Sequence, residues 1–148
     1  MLLFIQIVAF PFALLYGRLA ARFSAKKMLL AGIAVYGFVT FIAFLLPSIE
    51  DLRMRTLAFW GVAFLVASSM GGIQALSRSY FAKLIPAENS SEFFGFYNVF
   101  GKFAAITGPF LMGVVGRLTG DTRWGVLSIL ILFIIGAWLL SRVREEQA

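Results

Sequence analysis

Five apolar runs, each close to bilayer length and separated only by short polar or charged stretches, dominate this 148-residue chain. A hydrocarbon layer about 30 Å thick is crossed by roughly 20 apolar residues in helical form. Lipid offers no partner for backbone N–H and C=O groups, so a spanning segment must satisfy them internally. The runs therefore predict an all-α integral membrane protein, with helices over 1–19, 28–46, 56–81, 90–118 and 124–141. Composition agrees, because a soluble domain that is 61% hydrophobic and 14% charged could not cover its apolar surface.

Local signals refine these spans. Pro11 bends the first helix and Pro47 stops the second. Asn89 with Glu92 three residues later forms a capping-box pattern at the start of the fourth. Gly108-Pro109 predicts a kink within it, and Gly120 to Arg123 make the last tight loop. Ser68, Ser69, Gly71 and Gly72 form a small-residue face on the third helix. It reads first as a packing surface that lets a neighbour approach, and second as a lining for solute.

Several function classes drop out. The chain has neither cysteine nor histidine, which removes disulfides, thiolate chemistry, most zinc sites and an imidazole base. No phosphate-cradling glycine loop, nucleophile–base pair or carboxylate dyad is present, so no enzyme, cofactor or metal is expected. A net charge of +6 does not imply nucleic acid, because the basic residues sit in short stretches between spans.

Those basic residues orient the chain instead. Arg18, Arg22, Lys26, Lys27, Arg78, Lys83, Arg142 and Arg144 fall on one side, and Arg53, Arg55, Arg117 and Arg123 on the other. The richer side is expected to be cytoplasmic, which puts the C-terminus inside and Met1 outside. An outer N-terminus on a short first helix predicts a chain that is the C-terminal portion of something larger. Pro11-Phe12 leading to Gly17-Arg18-Leu19 is echoed by Pro109-Phe110 leading to Gly116-Arg117-Leu118. The two helices cross in opposite senses, as an inverted repeat requires.

Lys102 is the sharpest candidate residue. It lies about 15 Å into the fourth helix, where a lysine costs roughly 2.5–3.5 kcal/mol on insertion scales. It must therefore face a cavity or a partner, or else snorkel. Asn98 is one turn earlier on the same face, and the pair suits hydrogen bonding and charge pairing with a solute carboxylate. Gln74 is a third candidate lining residue. Arg78, one turn further along, reads chiefly as a topology anchor at a helix end.

The expected loop from Gly17 through Arg18, Arg22 and Ser24 to Lys26 and Lys27 resembles the G-x-x-x-D-R-x-G-x-K signature of the major facilitator superfamily. More specific are Gly71-Gly72-Ile73-Gln74, Leu84-Ile85-Pro86, Glu92-Phe93-Phe94-Gly95-Phe96-Tyr97-Asn98, Gly101-Lys102 and Gly108-Pro109. Together they resemble the branch of fungal vacuolar amino-acid effluxers and their bacterial relatives. The resemblance implies helices eight to twelve of a twelve-helix bundle, so five helices forming most of its C-terminal half. Two positions depart from the signature. Ala21 stands at its acidic position, which puts the charge latch in doubt, and Ser24 stands at its second glycine.

The function this implies is part of a secondary active transporter moving a small polar solute, amino acids included, by alternating access. Its partners would be the N-terminal helices of the same transporter, the lipid bilayer and the solute. Its place would be a multi-pass position in an inner or plasma membrane, or a vacuolar one in a fungus. A non-transporting membrane scaffold or partner subunit is the alternative.

Overall fold

A computed structural model describes residues 2–144, with Leu2 described by its backbone alone. Among the described residues there are five α-helices: α1 Leu2–Phe23, α2 Ala25–Leu45, α3 Leu52–Leu84, α4 Ser90–Thr119 and α5 Thr122–Arg142. Short 3-10 turns at Leu46–Ser48 and Ala87–Asn89 follow α2 and precede α4. No strand occurs among the described residues. All five helices are long and apolar enough to cross a membrane, and the protein is an all-α integral membrane protein. The expected first residue of the first helix, Met1, and residues 145–148 of the charged tail lie outside the described residues.

The helices overrun the boundaries that hydropathy suggests. α1 continues to Phe23, α2 starts at Ala25, α3 at Leu52 and α5 at Thr122. Loss of hydropathy marks where lipid ends, whereas backbone hydrogen bonding continues through good helix formers such as Leu19-Ala20-Ala21-Arg22. Consequently the signature segment is not a loop. Arg18 and Arg22 ride the last turns of α1, Lys26 and Lys27 the first turn of α2, and only Ser24 lies between the two helices.

Ser24 has φ 90° and ψ 143°, the only positive φ at a described residue other than glycine. That region is nearly reserved for glycine, and holding another residue there costs about 1–3 kcal/mol. The signature's glycine preference at this position thereby acquires a backbone reason. The Ser24 hydroxyl accepts a long 3.4 Å hydrogen bond from the Lys27 amide, a cap that glycine replaces at a cost of only a few tenths of a kcal/mol. Ser24→Gly is therefore expected to stabilise the protein by about 1 kcal/mol, after the extra chain entropy of glycine. Ser24→Ala keeps the strain and loses the cap, so it should destabilise. Thermal unfolding of both variants in detergent checks the pair of signs.

The capping box expected at Asn89 does not form. Asn89 closes a 3-10 turn with φ −115° and ψ 21°, and its side chain makes no cap. An N-cap needs extended backbone, which this turn denies it. Besides Ser24 on α2, side-chain caps form at Asp51 on α3 and Asp121 on α5, each accepting a 2.9 Å hydrogen bond from the amide two residues on. α4 ends on Gly120 in the left-handed region.

α1 packs on α3 and more lightly on α2, α2 on α3 and α5, and α5 on α4. Close approach of α1 to α3 depends on Gly71 and Gly72. A Cβ at Gly71 would stand 2.7 Å from the Ala9 carbonyl oxygen, and the space at Gly72 is filled by the Tyr16 side chain. The Tyr16 hydroxyl lies 3.3 Å from Ser69 Oγ, a side chain only 1% exposed. Leu29, Leu76 and Tyr80 form a buried cluster, on which Tyr16, Met28 and Leu140 also pack. α4, by contrast, buries no residue, and its attachment to the bundle runs chiefly through α5.

Candidate functional site

α3 and α4 follow one another across a short connection and meet beside it through an aromatic cluster. The Phe81 and Phe94 rings lie 5.5 Å apart, and Phe81 and Tyr97 4.8 Å apart. The Tyr97 hydroxyl then donates to Ser77 Oγ across 3.0 Å. Past this cluster lies an open groove of about 580 Å³ between the two helices. Gln74, Ser77 and Arg78 line it from α3, and Tyr97, Asn98 and Lys102 from α4, with Gly101 and Ala105 beside them.

Helical periodicity explains the lining. Gln74, Ser77 and Arg78 recur at i, i+3 and i+4, while Asn98, Gly101, Lys102 and Ala105 recur at i, i+3, i+4 and i+7. The exposed stripe Phe96, Phe100, Phe103 and Phe110 is turned roughly a third of a turn from Asn98 and Lys102. α4 thus offers one aromatic face suited to lipid and another polar face directed at α3.

The Phe81–Phe94 and Ser77–Tyr97 contacts hold the two helices together at this end, and the helices pack little on each other beyond it. Among the described residues the lining holds two cations, two amides and two hydroxyls, but no carboxylate. That set donates hydrogen bonds and positive charge, and can hold an anion.

The three proposed solute-binding residues, Gln74, Asn98 and Lys102, are therefore brought together. Arg78, read from the sequence chiefly as an anchor at a helix end, lines the same groove. Its one-turn spacing from Gln74 was the available signal. Ser77 and Tyr97 were missed as lining residues, although Tyr97 stands in the Glu92–Asn98 stretch that carries the resemblance.

The signature residues lie elsewhere. Arg18 and Arg22 line no part of the groove, and Gly17 has no neighbour within 4 Å of where a Cβ would stand. Lys26 has a definite structural task. Its ammonium donates to the carbonyl oxygens of Ser141, at 2.9 Å, and Val143, at 2.7 Å, closing the C-terminal end of α5. Lys26→Met is expected to release that end at a cost of about 1–2 kcal/mol. Faster hydrogen exchange confined to the last turn of α5 would report it, and unchanged exchange would contradict it. Gly71 and Gly72 belong to the α1–α3 contact. α4 runs unbroken through Gly108 and Pro109, with open space at Gly108. No group of three or more His, Cys, Asp or Glu placed to hold a metal occurs among the described residues.

Comparison with known proteins places this geometry in a context. The family described as "Vacuole effluxer Atg22 like" matches residues 1–148. An uncharacterized MFS-type transporter of Bacillus subtilis, YxiO, is 52% identical over 143 residues, covering 97% of this chain and 32% of that protein. Autophagy-related protein 22 of Cryptococcus neoformans is 30% identical over 158 residues, covering 97% of this chain and 27% of its own length. The Saccharomyces cerevisiae protein of the same name is 28% identical over 109 residues, covering 74% and 20%. The chain thus spans about a third or less of the length of these relatives. No solved structure matches it.

Proposed function

We propose that this chain, which belongs to the Atg22-like vacuole effluxer family, forms one wall of the solute pathway of a secondary transporter. The Bacillus subtilis relative is named an MFS-type transporter, which supports transport as the coarse function; the solute and mechanism are our reading. The observation that carries it is the α3–α4 groove. Gln74, Asn98 and Lys102 meet there with Arg78, in a protein whose remaining helix surfaces are mostly apolar. Ionisable groups inside a membrane face a pathway or a partner by default.

In this reading the solute is small, polar and carboxylate-bearing. Lys102 and Arg78 hold its charge, and Asn98 and Gln74 fix its orientation through their amides. The opposite wall is supplied by further helices of the same transporter, against which the α3–α4 face rocks. The end bearing Arg18, Arg22, Lys26 and Lys27 faces the cytoplasm, with the C-terminus beside it.

Reconstitution of the full-length product of the gene into liposomes tests this. A panel of amino acids and small carboxylates, with and without an imposed proton gradient, should include at least one solute that moves faster than through protein-free vesicles. Passive leak alone across the whole panel would remove the transporter reading.

A further inference from the structure

The structure assigns to the α2–α5 pair a site for an anionic phospholipid, its phosphate held by Lys27 and Arg142. This site stands apart from the α3–α4 groove and does not depend on the transport reading. α2 and α5 lie alongside each other in opposite senses. Lys26 meets the Ser141 and Val143 carbonyls at one end, Tyr36 stacks on Phe133 midway, and Arg123 donates to Ser48 Oγ at the other.

Each helix leaves one stripe uncovered. On α2 it runs through Lys27, Ala34, Phe38 and Leu45, and on α5 through Ile131, Ile135, Trp138 and Arg142. Their helical spacing keeps each set on one face. Apart from the two cations these residues are apolar, as contact with acyl chains requires. Both cations stand at the same end of the pair. The Lys26 contact fixes this, because Lys27 and Arg142 are each one residue from the groups that it joins.

The Arg142 guanidinium lies 4.9 Å from the centre of the exposed Trp138 ring. Tryptophan favours headgroup depth, and stacking on its face consumes none of the guanidinium's N–H donors. Lys26 spends its own charge on the α5 carbonyls, which offsets the partial negative charge of that helix end. An anion approaching Lys27 and Arg142 is therefore not opposed by the helix terminus. α1, α2 and α5 contain no acidic residue, and Glu145 and Glu146 come in the sequence only after α5 has ended. Two cations at the edge of an apolar surface favour a lipid with net negative charge over a zwitterionic one, whose ammonium they repel.

The test uses the full-length gene product in detergent. Thermal unfolding is followed as phosphatidylglycerol, phosphatidylcholine or glycerol 3-phosphate is added. Phosphatidylglycerol should bind on the order of tenfold more tightly than phosphatidylcholine. Lys27→Gln and Arg142→Gln should each weaken phosphatidylglycerol about fivefold, with phosphatidylcholine binding and lipid-free stability unchanged. Lys83→Gln removes a cation from the last turn of α3, at the same membrane face, and should alter neither lipid.

Equal affinity for the two lipids overturns the site. An equal loss in Lys83→Gln and Arg142→Gln also overturns it, because that is diffuse attraction to the whole face. Displacement of phosphatidylglycerol by glycerol 3-phosphate at the same concentration would make this a site for soluble phosphate and end the lipid assignment.

Discussion

Replacing Lys102 by glutamine is expected to slow solute transport by about 10–100-fold while leaving folding and membrane insertion intact. The size follows from removing one charge-assisted hydrogen bond to a carboxylate, worth about 1.5–3 kcal/mol. Stability should hold or rise, because a lysine near the middle of a spanning helix costs roughly 2.5–3.5 kcal/mol on insertion scales. A structural ion pair to an acid on another helix would behave in the opposite way. Removing its cation would strand a buried carboxylate at a cost of about 3–5 kcal/mol, and the protein would express poorly. Transport rate and thermal stability measured on the same Lys102→Gln preparation thus separate the two roles. Wild-type transport in this variant would exclude Lys102 from the pathway.

Much of this was readable before any coordinates. The five spans follow from apolar length alone, because a bilayer permits so few backbone solutions. Asn98 and Lys102 were legible because a charge inside such a span is costly, and helical spacing puts the two on one face. Gln74 joined them through its place on a polar end of α3. What escaped were features decided by contact between helices. Arg78 stands at a position where a topology anchor and a lining residue look alike, and its place in the groove appears only once α3 and α4 are set side by side. Ser77 and Tyr97 line the groove through a hydrogen bond between residues 20 apart in sequence. Lys26 reaches the end of α5 across more than 100 residues, which no local pattern encodes. The capping box expected at Asn89 fails because Asn89 itself closes a 3-10 turn, which the sequence pattern does not show.

Gly125→Leu is expected to destabilise the protein by about 2–3 kcal/mol and to cost most of its transport. A Cβ at Gly125 would stand 2.5 Å from the Met112 carbonyl oxygen and 3.3 Å from the Met112 carbonyl carbon. Those are backbone atoms of α4, so no rotamer change relieves the clash and α4 itself must move. α5 is the helix to which α4 is principally docked, and α4 carries Asn98 and Lys102. A displacement of about 1 Å there is enough to reduce the rate by about 10²-fold when binding groups must converge. Gly136→Leu on the same helix is the control, because nothing lies within 4 Å of its Cβ position. It should stay within about 0.5 kcal/mol of the wild type. Thermal unfolding and transport of both variants distinguish the cases, and equal losses would show that α5 rejects leucine for reasons other than its contact with α4. Lys102→Gln loses transport with stability kept, whereas Gly125→Leu loses both. That difference separates the groove's chemistry from the packing that holds its wall in place.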